Sequence, residues 1–178
     1  LISSCEDFLN FKNLSYNDIN EVKFILGSAY FALSDFKKSK EIYTWFLNEG
    51  KGNDHVLSES KYIISYMLFL NDSLDASESL IMDILDNSYD NYYIAKSLIL
   101  LSDILLEKQN YFQAKATLNS IIENYSGDII VNEAKMKLND IIEFEKQSIA
   151  IDTLSQEEII LDLLKDFKIY NNDLIELE

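Results

Sequence analysis

Phe24-Ile25-Leu26-Gly27-Ser28-Ala29-Tyr30 returns as Tyr62-Ile63-Ile64-Ser65-Tyr66-Met67-Leu68, and again as Ile99-Leu100-Leu101-Ser102-Asp103-Ile104-Leu105. Each stretch sets a small residue directly after a large apolar one. The pairs Leu26-Gly27, Ile64-Ser65 and Leu101-Ser102 stand about 37 residues apart. Two more registers keep the same period. Phe36…Ser39, Leu74…Ser77 and Tyr111…Ala114 place a bulky residue three before a small one, and Phe46-Leu47, Ile84-Leu85 and Ile121-Ile122 close each unit. Apolar residues recurring at three- and four-residue steps mark two amphipathic helices per unit. A small residue in mid-helix lets two backbones approach while larger neighbours fill the groove around them. The links Ser34-Asp35, Asn71-Asp72-Ser73 and Gln109-Asn110 are short and polar, with residues that cap helices and tolerate turns. A single hairpin of this kind cannot bury its own apolar face, whereas stacked neighbours can.

Composition agrees with an all-α chain. Proline is absent and there are only 4 glycines in 178 residues, which starves a sheet-rich or loop-rich fold of turn residues. A hydrophobic fraction of 48% is that of a chain with a core. The net charge of −16, with every cation a lysine, argues against nucleic acid, whose phosphates are bound by neutralising them. No apolar run reaches the ~18 residues of a membrane span, so no membrane insertion is expected of this segment. The chain starts at Leu1, which points to a processed or excised form, part of a longer protein.

In these registers the sequence resembles the tetratricopeptide repeat family. Leu26-Gly27, Tyr30, Phe36, Ser39 and Tyr43 follow its pattern best; Leu101-Ser102, Tyr111, Ala114 and Leu118 follow it well and look like repeats of bacterial envelope-associated members. The family's early Trp and closing Pro are missing, and the period exceeds the usual 34 or so by about three. Longer links at Gly50 to His55 and Asn87 to Asn91 would absorb that excess. The resemblance implies a right-handed superhelix, a solenoid of antiparallel helix pairs. Its expected parts are a half repeat at 1–12, repeats at about 20–53, 58–91 and 95–128, and a capping helix at about 131–147. An acidic segment, 148–178, follows, with a short helix expected over 156–168 behind the capping-box spacing Ser155-Gln156-Glu157-Glu158.

Cys5 admits two readings. Ile2-Ser3-Ser4-Cys5 would pass as a lipoprotein cleavage site, yet Cys5 also falls on the register of Tyr43, Ile81 and Leu118, a packing position. Packing is the reading taken.

By the same resemblance, the first helix of each unit lines a concave face. The positions there not needed for packing are Phe24, Ser28, Phe31, Tyr62, Tyr66, Phe69, Ile99, Asp103 and Leu106, with Met136 and Asp140 from the capping helix. An aromatic stripe of this kind suits a peptide or helix ligand. The Lys and Asn of family members that clamp a chaperone's C-terminal carboxylate are replaced by Phe24, Tyr62, Ile99, Ser28, Tyr66 and Asp103, so that activity is not expected. Nor is catalysis. His55, the sole histidine, reads as a surface residue of the link before the second unit, and with Cys5 alone it cannot complete a zinc site. No glycine-rich phosphate loop and no Ser-His-acid set is apparent. The expectation is a non-enzymatic scaffold without metal or cofactor, holding a protein or peptide, with a periplasmic or envelope setting slightly favoured over cytoplasm. The rival expectation is a structural segment stacking into a longer superhelix, or into a homo-oligomer through exposed solenoid ends.

Overall fold

The structure, a computed structural model, describes residues 1–49, 52–149 and 156. Among the described residues there are helices and no strand. The order is α1 (Ile2–Leu9), α2 (Tyr16–Ala32), α3 (Phe36–Glu49), α4 (Asp54–Leu70), α5 (Leu74–Asn87), α6 (Asn91–Glu107) and α7 (Tyr111–Asn124). A further helix, α8, runs over 128–149. Consecutive helices pack from α1 through α7, and α4 also meets α6. The chain divides into two compact units, Leu1–Lys135 and Met136–Glu178. In the second unit the described residues 136–149 are helical, with Ile141 buried and Met136 and Asp140 exposed. The acidic helix expected over 156–168 lies outside the described residues except for Gln156.

Three helix pairs, α2–α3, α4–α5 and α6–α7, share one construction. Each first helix ends with a residue in the left-handed region, at Ser34, Asp72 and Gln109, with φ of 60°, 56° and 57°. At each of these ends the backbone N–H groups turn back on the last carbonyls. Asp35, Ser73 and Asn110 donate to Tyr30, Leu68 and Leu105, while Ser34, Asp72 and Gln109 donate to Phe31, Phe69 and Leu106. That is the Schellman closure, usually built on glycine. Here it is built without one. The next helix is then capped by the link itself, as when the Asn110 side chain accepts from the N–H of Gln113 at 3.2 Å. The start of α2 is fixed four residues ahead of the expected repeat edge, because Ser15 and Asp18 form a reciprocal capping box.

The small residues of the repeated registers do what their size allows. Ser39 Oγ donates to the carbonyl of Gly27 at 3.0 Å, and Ser77 Oγ donates to the carbonyl of Ser65 at 2.7 Å. Ser39, Ser77 and Ser65 are all fully buried. The first two pairs are thus zipped by a hydroxyl that bonds the facing backbone. Gly27 is needed there: a Cβ at that position would lie 3.0 Å from Ile42 Cγ2 and 3.5 Å from the Tyr43 ring. In the third pair Ala114 stands where Ser39 and Ser77 stood, and Ser102 bonds its own helix at the carbonyl of Ile99.

Around these contacts lies the core. Tyr43, Phe46, Ile63, Ile64 and Met67 form one cluster across α3 and α4. Cys5, Leu26 and Tyr30 form another across α1 and α2. Cys5 therefore packs as a small apolar side chain, on the register of Tyr43, Ile81 and Leu118, which are fully buried. Trp45 meets Phe46 edge-on with centroids 5.0 Å apart, and the Lys23 ammonium lies 3.7 Å over the Trp45 ring.

Candidate partner-binding site

Where the first three helix pairs meet, the polar groups converge on Glu59. Its Oε1 accepts from Tyr43 Oη at 2.7 Å and from Ser28 Oγ at 3.2 Å, and its Oε2 accepts from Tyr93 Oη. The side chain is only 12% exposed. Burial pushes the phenols of Tyr43 and Tyr93 well above the usual tyrosine range, so both remain protonated donors. Ser28 comes from α2, Tyr43 from α3, Glu59 from α4 and Tyr93 from α6. One carboxylate thus ties three successive helix pairs.

His55 lies beside this cluster; it is exposed, as the sequence suggested, but belongs to a helix and not to the link. It sits in the first turn of α4, because Asn53 caps the helix by accepting from the N–H of Val56 at 2.9 Å, two residues ahead of it. The ring packs against Phe24 and Tyr93, with centroids 6.1 Å and 5.3 Å away. His55 Nδ1 meets Asp90 Oδ2 at 2.7 Å, and Nε2 stands 3.9 Å from Glu59. Burial would raise the Asp90 carboxyl, but the His55 ring and the N–H groups of Tyr93 and Tyr92 outweigh it and hold it below the usual aspartate range. A second set of bonds joins the same α4 turn to the link before α6. Asp54 accepts from Ser88 Oγ at 3.2 Å and from the N–H of Tyr89 at 2.9 Å, and the Ser58 and Ser88 hydroxyls lie 2.6 Å apart.

The residues expected to face a ligand therefore divide. Phe24 lies edge-on to Phe46 at 6.2 Å as well as against His55, and Ser28 is held by Tyr43 and Glu59. Both serve the junction. Ile99 is buried, on a helix that packs against α4, α5 and α7. Asp103 is half-buried with an interaction of its own, while Phe69 and Leu106 are half-buried. Phe31, Tyr62 and Tyr66 are brought together. With Ser34, Phe36 and Lys96 they line a cleft of ≈ 460 Å³. Phe31 lies 5.7 Å from Phe36 and 5.9 Å from Tyr66, ring to ring. Tyr62 forms the floor: it packs on Tyr93 at 5.8 Å, and burial drives its phenol well above the usual range.

Phe36 and Lys96, like Ala32, Ser34 and Ile63 of the same lining, were not among the expected residues. Phe36 reads as a packing residue in the repeat register, yet it stands at a helix start and is 37% exposed. Lys96 carries no local signal, and it emerges only when α4 and α6 are aligned from their first residues, which puts it level with Glu59.

No protein-family model matches this chain, and no curated protein matches its sequence. The likeness to tetratricopeptide repeats accordingly rests on the registers set out above. No helix among the described residues is long and apolar enough to cross a membrane, and no group of three or more metal-ligating side chains occurs among them.

Proposed function

We propose that this chain is a tetratricopeptide-like, non-enzymatic scaffold, part of a longer protein, that holds a peptide or protein segment on the inner face of a right-handed superhelical array. The observation that carries this reading is the cleft of ≈ 460 Å³ walled by Phe31, Phe36 and Tyr66 over Tyr62. Aromatic walls give a large contact area with little conformational entropy to lose, which is what an anchor pocket requires. The other concentration of functional groups, around Glu59, is engaged internally: both carboxylate oxygens and the Nδ1 of His55 are bonded to neighbours. Such a cluster positions helices. A bacterial envelope setting follows from the resemblance alone.

The test is retention of a partner from extract of the source cell on the immobilised full chain, beside a Phe36→Ser, Tyr66→Ser variant of equal helicity. A partner retained by the first and lost by the second supports the cleft. Equal recovery, or self-association alone, overturns the reading in favour of a stacking role.

A further inference from the structure

Lys96 is the feature of the cleft that its aromatic walls leave unexplained. Its counterpart one helix pair earlier is Glu59, the sixth residue of α4 as Lys96 is of α6. Around Glu59, Ser28, Tyr43 and Tyr93 each supply a hydroxyl. The corresponding places one pair later hold Tyr66, Ile81 and, on α8, Ile130, and both isoleucines are buried. The clasp is not repeated. Lys96 makes no hydrogen bond or ion pair with the described residues. Its ammonium lies 4.8 Å over the Tyr62 ring and 5.6 Å over that of Tyr92, on the rim of the cleft.

Lys96 is half-buried, and ring faces hold an ammonium more weakly than a carboxylate would. In a chain of net charge −16, a lysine with no carboxylate partner among the described residues is a locally reversed sign. We infer that the segment held in the cleft carries a side-chain carboxylate one or two positions from an apolar residue, the acid meeting Lys96 and the apolar side chain entering between Phe31, Phe36 and Tyr66. This inference rests on the cleft reading proposed above. A chain terminus fits less well, because a terminal carboxylate calls for several converging donors and the rim offers a single ammonium. Polyacidic segments fit poorly too, since the Asp103 and Glu133 carboxylates already act on Tyr62 in the cleft and the chain as a whole is strongly negative. The matching ligand has one acid in an otherwise neutral or basic stretch.

The test is selection from a synthetic library of random peptides, all amidated at the C-terminus, on the full chain and on its Lys96→Gln and Tyr66→Ser variants. The wild type is expected to enrich Asp or Glu beside Leu, Ile, Met or Phe. On Lys96→Gln the acid preference should disappear while the apolar preference stays. For a selected peptide, Glu→Gln should weaken binding about threefold to tenfold on the wild type and leave Lys96→Gln unchanged. The same acid content on wild type and Lys96→Gln would overturn the inference and leave the cleft standing. A pool indifferent to Tyr66→Ser, or no pool at all, would remove the cleft reading and this inference with it.

Discussion

Replacing Tyr43 by Phe deletes one oxygen from the interior and leaves the ring in place. That oxygen lies 2.7 Å from Glu59 Oε1 and 3.0 Å from the Ser28 hydroxyl, at a residue with no exposed surface. A net hydrogen bond to a charged acceptor contributes about 1.5–3 kcal/mol. Since Ser28 and Tyr93 still donate to the carboxylate, a loss near 2 kcal/mol is expected, or roughly 4–8 °C in Tm for a chain of this length. Tyr93→Phe should cost about the same. Glu59→Met keeps the volume but strands the Tyr93 phenol and leaves that of Tyr43 only the Ser28 hydroxyl, so it should cost about 3–5 kcal/mol. The informative variant is the triple one. With Glu59→Met, Tyr43→Phe and Tyr93→Phe together, neither phenol is left without an acceptor, and only the half-buried Ser28 hydroxyl loses its partners. The protein should then be no less stable than the Glu59→Met single variant, although the separate losses sum to about 8 kcal/mol. Urea unfolding followed by far-UV circular dichroism reads all of these. Simple additivity, or an unaffected Glu59→Met variant, would refute the account of Glu59 as the shared acceptor of three helix pairs.

The remaining predictions concern the pairs themselves. Ser39→Ala and Ser77→Ala should each cost about 1 kcal/mol by calorimetry, whereas Ala114→Ser should gain up to about as much if its hydroxyl reaches the backbone as theirs do. Gln109→Gly relieves a left-handed residue and should stabilise by about 0.5 kcal/mol after the added chain entropy of glycine, while Gln109→Val should destabilise; thermal melts distinguish them. The Lys61 ammonium, 2.7 Å away, holds the Asp83 carboxyl below the usual aspartate range. The folded value being the lower one, this pair stabilises above the unfolded value of about 3.9 and its contribution is lost as pH falls through the folded value. The Tm gap between wild type and Asp83→Asn should therefore be positive at neutral pH and close only below about pH 4; a gap constant down to pH 2 would contradict the linkage.

The helix pairs were legible because their signals are local or strictly periodic. Leu26-Gly27, Ile64-Ser65 and Leu101-Ser102 mark the close approaches, and the polar links fall at the three turns. The capping box of Ser15 and Asp18 is equally local, and it moves the start of α2 ahead of the edge that the repeat register suggested. The Glu59 junction had no such mark. Its partners come from 16, 31 and 34 residues away, and a glutamate in an amphipathic helix looks like any solvated one. For the same reason Ser28 and Phe24 were read as ligand-facing when the junction engages them. His55 was read from its polar neighbours, Asn53 and Asp54, which in the fold are the cap and first turn of α4. Lys96 became meaningful only against Glu59, a comparison between units that neither residue's own surroundings suggest.

The chain has a single tryptophan, and Trp45 is placed in α3 between Phe46 and the Lys23 ammonium. Its emission therefore reports the first helix pair and its packing against α4, while the amide bands of circular dichroism average over every helix. Two optical signals from one unmodified sample thus compare a single rung with the whole ladder. If the clasp at Glu59 makes the first three pairs melt as one, the two curves will superimpose; in the Glu59→Met variant they will separate, and the distance between their midpoints will measure how far cooperativity travels along the array.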